Sequence, residues 1–77
     1  MPKLPVVSGD DAVRAFEKIG YQVARQKGSH IRLRDPQNER HRPLTVPKHM
    51  ELKPGLLRKL IRDADLTVEE FEQLLKS

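Results

Sequence analysis

The apolar positions form three stripes at helical spacing, and a block alternating with period two separates the first from the second. Val13, Phe16 and Ile19, supported by Ala12 and Ala15, follow Ser8-Gly9-Asp10-Asp11. Ser8 is placed to cap the free amide of Asp11, and acids in the first turn suit the positive end of a helix dipole. Gly20 supplies the stop, so the pattern predicts a helix over 9–19. A second stripe, Leu56, Leu57, Leu60, Ile61 and Ala64, starts at Lys53-Pro54, where proline suits a first turn. The third helix opens at Leu66-Thr67. Thr67 and Glu70 have capping-box spacing, Leu66 and Phe71 have the spacing of a hydrophobic staple, and Leu74 and Leu75 continue the buried side.

Between the first two stripes, residues 21–26 and 31–34 alternate in the manner of strands and bracket Lys27-Gly28-Ser29. Side-chain parity selects the hairpin loop. A two-residue turn at Lys27-Gly28 puts Tyr21 and Val23 on the face of Arg32 and Arg34. A three-residue loop pairs Gln26 with His30 and gathers Tyr21, Val23, Ile31 and Leu33 on one face. It leaves Gln22, Gln26, His30, Arg32 and Arg34 on the other. Segregation of apolar from basic residues favours the three-residue loop. Asp35-Pro36-Gln37-Asn38-Glu39 is turn-rich, and Leu44-Thr45-Val46 forms a short third strand closed by Pro47. The predicted class is α+β, in the order α-β-β-β-α plus a short C-terminal helix. Helices cover one face of a three-stranded antiparallel sheet and leave the other in water. This is the arrangement of a double-stranded-RNA-binding domain, a likeness of architecture that assigns no function.

Length and composition bound the remainder. The 77 residues read as one domain spanning 1–77, with no repeat and no linker. There is no cysteine to form a disulfide or a thiolate metal site, and Phe16, Tyr21 and Phe71 are the aromatics. No apolar run approaches the ~20 residues of a membrane span. The opening Met-Pro-Lys-Leu-Pro-Val-Val is too short and proline-broken for a signal peptide, so a cytoplasmic location is expected. Net charge is +4, yet residues 21–62 alone carry +8 and residues 63–77 carry −4. A concentrated basic middle is the electrostatic footprint of a nucleic-acid binder, with a merely solvated basic surface as the plainer alternative.

His30, His41 and His49 are the side chains that titrate naturally near neutrality. No ligand spacing for a metal appears, Asp10-Asp11 being explained by the helix start, and no P-loop or Ser-His-Asp elbow is present. No cofactor is expected. RNA needs none of these, because its own 2′-hydroxyl can attack the adjacent phosphate. The reaction requires a base near the 2′-oxygen, an acid near the 5′-oxygen and positive charge on the phosphate. Lys27, Gly28, Ser29, His30, Arg32 and Arg34 hold these parts within eight residues. Gly28 admits a close backbone, and Ser29 offers a hydroxyl and an amide. On spacing alone, a histidine at a hairpin turn is more often a solvated surface residue. His41 reads as an exposed loop position. His49, just past the third strand, is either a supporting group or a loop residue facing phosphate or solvent.

The same residues carry a family likeness. Over nearly its whole length the chain resembles the HicA toxins, also called the YcfA-type family. The matching pieces are Leu4-Pro5, Ser8-Gly9, Gly20-Tyr21, Val46-Pro47 with His49, the run from Glu51 to Arg58, and Leu66-Thr67 to Glu70-Phe71. The most diagnostic stretch runs from Arg25 to His30. The resemblance implies the toxin half of a type II toxin–antitoxin pair. It would have a double-stranded-RNA-binding-like fold and would cleave mRNA as an endoribonuclease that does not require the ribosome. The catalytic histidine of the family's Gly-Ser-His motif falls on His30. Lys27, Gly28, Ser29, Arg32, Arg34, Lys48 and His49 are the expected RNA contacts. The implied partners are the mRNA substrate and a HicB-like antitoxin that masks the site, the complex commonly repressing its own operon. Asp65 stands where the family usually has glycine, and the loop after Val46-Pro47 is of the shorter kind. The alternative function is a non-catalytic RNA-binding module of the same fold.

Overall fold

The computed structural model describes residues 3–77; Met1 and Pro2, part of the proline-broken opening segment, lie outside the described residues. The elements run α1 (Gly9–Glu17), β1 (Gln22–Lys27), β2 (His30–Arg34), β3 (Leu44–Pro47), α2 (Pro54–Asp63) and α3 (Val68–Lys76). The strands form one antiparallel sheet in the order β1-β2-β3. This is the α+β order expected from the pattern.

Each helix starts as its sequence dictates. The Ser8 hydroxyl accepts the Asp11 amide at 3.1 Å. Thr67 and Glu70 form a reciprocal capping box, with bonds of 3.1 and 2.8 Å. α1 is two residues shorter than the apolar stripe, and the chain leaves it by a looser turn into Gly20 at φ +111°. Asp65 takes the left-handed conformation at φ +59°, so the helix stop for which glycine is best suited is made here by aspartate. The Leu66 amide reaches the Ile61 carbonyl and the Asp65 amide that of Arg62, closing a Schellman motif.

The core lies between the helices and one face of β2 and β3. Ile31, Leu33, Leu44 and Val46 alternate into it and meet Phe16 of α1, Leu57 and Leu60 of α2 and Phe71 of α3. Phe16 packs against Phe71 at 5.2 Å between ring centres and edge-on to Tyr21 at 5.8 Å. Lys18, at the C-terminus of α1, donates to the Leu74 carbonyl at 2.6 Å, tying α1 to the free end of α3. β1 is different. All six of its residues are exposed, and even Val23, opposite the buried Leu33, is 48% exposed, because the strand overhangs the helical layer.

The hairpin corrects the expected register. Lys27, not Gln26, pairs with His30, so the turn is the two residues Gly28-Ser29. Gly28 has φ +58° and Ser29 does not enter the positive region, the signs of a type II′ turn with glycine first. Such a turn would place Val23 on the wrong face were the strands regular. A β-bulge at Ala24, between the Val23–Leu33 and Arg25–Arg32 pairs, absorbs the extra residue. Parity is therefore as expected toward Val23 and Gln22 but reversed toward the turn. Gln26 leaves the open face, and Arg25 and Lys27 join it.

Candidate functional site

β2 sets the geometry of the open face. With Ile31 and Leu33 in the core, strand alternation turns His30, Arg32 and Arg34 to the opposite side. Lys27 stands across from His30, Arg25 from Arg32, and Gln22 from Arg34. On the other flank Thr45 pairs with Arg32, and its hydroxyl accepts a guanidinium N–H at 2.7 Å. A concavity of about 830 Å³ runs along this face, and its charged or titratable lining is Arg25, Lys27, His30, Arg32 and Arg34. Among the described residues, no carboxylate lines it. Like charges directly opposite one another destabilise a sheet, so the Arg25–Arg32 pair costs stability until an anion lies over it.

The sequence-derived residues fall in two groups. Lys27, Gly28, Ser29, His30, Arg32 and Arg34 all border the concavity, and His30 is exposed at its turn end. Lys48 and His49 are not part of that lining. They follow β3, where the Lys48 amide donates to the Ser29 carbonyl at 2.6 Å and continues the β2–β3 ladder to the turn. The His49 carbonyl accepts the Gly9 amide at 2.9 Å. That approach explains the glycine: a Cβ on Gly9 would lie 2.1 Å from the Pro47 carbonyl oxygen. The first helix thus braces the loop beside the hairpin end.

Two residues of the face were missed by the sequence reading. Arg25 is brought there by the bulge, which no alternation pattern reveals. Thr45 is brought by the pairing of β3 with β2, and nothing in a threonine flanked by Leu44 and Val46 marks it as a guanidinium partner.

His41 overturns the reading of an exposed loop position. Its Nδ1 lies 2.9 Å from Asp35 Oδ2, with the two side chains 11% and 8% exposed. Asn38 Nδ2 lies 3.4 Å from Nε2, and the ring stacks on Tyr21 at 5.0 Å. Tyr21 in turn donates its hydroxyl to the Arg42 carbonyl at 2.8 Å. Burial, with the nearby carboxylates of Asp35 and Asp63, holds the Tyr21 phenol well above its ordinary range. The Asp35–Arg42 connection is ordered by polar partners, which makes His41 a structural residue.

The family model described as HicA toxin of bacterial toxin-antitoxin matches residues 9–66, from the start of α1 through α2. The chain belongs to the HicA toxin family. No curated protein matches it. Membership implies a cognate antitoxin as partner. The matched span includes the whole hairpin and its arginines, whereas α3 lies beyond it. Among the described residues, no group of three or more His, Cys, Asp or Glu side chains is arranged to hold a metal ion. No helix among them is long and apolar enough to cross a membrane.

Proposed function

We propose that this HicA-family chain is a toxin acting as an endoribonuclease on mRNA, with His30 as general acid or base. The observation that carries the reading is an exposed imidazole at the end of a carboxylate-free, cation-lined concavity on the open sheet face. In the reaction, the 2′-hydroxyl of one nucleotide loses its proton and attacks the adjacent phosphorus. The bond to the 5′-oxygen breaks, and that oxygen takes a proton, leaving a 2′,3′-cyclic phosphate and a 5′-hydroxyl. His30 moves one of these protons.

Charge develops on the phosphate oxygens as the phosphorus becomes five-coordinate, and preformed cations answer it best. Arg32 is suited to that task because Thr45 already holds its guanidinium. Lys27, Arg34 and Arg25 extend the positive track along the strand. Gly28 and Ser29 present turn backbone to the phosphate, and Lys48 and His49 approach from the loop after β3. The toxin works metal-independently in this scheme, in the cytoplasm where mRNA is available. A HicB-like antitoxin neutralises it by covering the same face.

The test is incubation of labelled RNA with the pure protein in excess EDTA. Fragments ending in cyclic phosphate are expected, and far fewer from a folded His30→Ala protein. RNA that is bound but left intact would identify a non-catalytic RNA-binding module instead. Activity lost to EDTA and restored by magnesium would remove the metal-independent scheme.

A further inference from the structure

A second, smaller concavity of about 340 Å³ wraps around the outer edge of β3 toward α2. It shares His30, Arg32 and Thr45 with the basic concavity, so these three side chains form the ridge between the two. The far side of the ridge has opposite chemistry. Exposed Pro43 and half-buried Leu56 are its accessible apolar surface, over a floor of the buried Leu44, Pro47 and Leu60. The polar members beyond the ridge are Lys59 and Asp63, which pair at 2.9 Å. β3 is an edge strand, and among the described residues no backbone hydrogen bond joins its outer side to α2.

We infer that this β3–α2 concavity is a nucleobase subsite for the nucleotide next to the scissile phosphate. The inference rests on the ribonuclease reading. A phosphate suits the acid-free side of the ridge and is repelled by Asp63 on the other. A base suits the apolar side, because its faces pack on proline and leucine. Its edge finds an acceptor in Asp63, a donor in Lys59, and the outward-facing backbone of the edge strand at Thr45. Proteins read single-stranded RNA in this way, by taking an unstacked base and hydrogen-bonding its edges. Splaying a base across the ridge also opens the linkage beside His30 to in-line attack. Asp63 carries the sharpest prediction. A carboxylate that merely sat near RNA would slow cleavage everywhere, whereas one that receives a base amino or imino proton selects which base is bound.

The experiment is cleavage of a random-sequence single-stranded RNA pool by the full chain, with fragment ends sequenced. Wild type is expected to show base preference at one nucleotide adjacent to the cut. Leu56→Ala should weaken that preference by about tenfold, and Asp63→Asn should change which base is preferred. Uniformly altered rates with an unchanged preference in both variants would overturn the subsite. Should Leu56→Ala fail to fold, the exposed Pro43→Ala variant replaces it. Amide chemical shifts on adding a short oligoribonucleotide separate the two readings. Shifts at Thr45, Leu56 and Asp63 uphold the subsite even if the wild type cuts nothing, an outcome in which the ribonuclease reading fails alone. Shifts confined to residues 25–34 overturn the subsite even if cleavage is fast.

Discussion

The hairpin end and the Asp35–Arg42 connection each present a histidine, and they set it in opposite surroundings. His41 is nearly enclosed. Its ring is stacked on Tyr21, and both its nitrogens face polar partners, Asp35 and Asn38. Moving a proton on or off such a ring disturbs a closed set of hydrogen bonds, so the ring serves the fold. His30 is exposed, borders both concavities, and on the open sheet face has Lys27, Arg25, Arg32 and Arg34 for charged neighbours. An imidazole open to a substrate suits the proton-transfer role proposed for His30. The difference teaches that titration near neutrality nominates a histidine, but what its nitrogens touch decides its role.

The comparison is broken first at His30. His30→Ala should lower RNA cleavage by about 10²–10⁴-fold, the usual worth of a positioned acid or base. Its unfolding midpoint should move little, since the side chain is exposed. Cleavage retained by a pure, folded variant would transfer the chemistry to another group.

The converse change is His41→Ala, which leaves the Asp35 carboxylate enclosed without its imidazole and uncovers one face of Tyr21. A loss of about 2–3 kcal/mol in denaturant unfolding is expected, with cleavage intact well below the midpoint. Unchanged stability would contradict the structural role given to this ring.

Tyr21 sharpens the same contrast through pH. The phenol of the folded chain ionises above the ordinary value near 10, while the unfolded chain releases its proton there. The folded state therefore binds more protons in alkali. The stability held by the Tyr21–Arg42 bond is complete below that ordinary value and falls as pH rises beyond it. Tyr21 is the chain's one tyrosine and there is no tryptophan. Phenolate absorbance thus reports it alone, and its appearance should track the loss of helical circular dichroism. Ionisation at the ordinary pH with the fold intact would show the hydroxyl to be free.

The smallest effect belongs to the opposed arginines. Arg25→Thr should raise stability by about 0.2–1 kcal/mol by relieving like-charge repulsion across the sheet. It should also make the salt dependence of binding to single-stranded RNA shallower by about 0.7 in log–log slope. A variant that loses stability, or binds RNA with the same slope, would show that Arg25 does not face the anion.

Much of the fold was legible because the rules involved are local. Ser8, Thr67 with Glu70, and the Leu56-to-Ala64 stripe specify where helices start and which side they bury. Two-residue alternation in 31–34 is enough to turn His30 away from Ile31 and Leu33. Asp65 was singled out only by the family likeness, as standing where glycine is usual; its φ of +59° supplies the physical reason.

What the sequence left open depends on partners far away in the chain. Shifting the turn to Gly28-Ser29 and absorbing one residue at Ala24 gives the same faces near Val23 as the expected three-residue loop. Local periodicity cannot choose between them, and the choice decides whether Arg25 or Gln26 joins the basic face. Thr45 acquires its role from a strand thirteen residues earlier, and His41 from Tyr21 and Asp35 across a turn. The β2 side of the basic face, His30, Arg32 and Arg34, was written in the sequence. The place of Arg25, the ridge between the two concavities and the enclosure of His41 arose when folding brought separated segments within hydrogen-bonding distance.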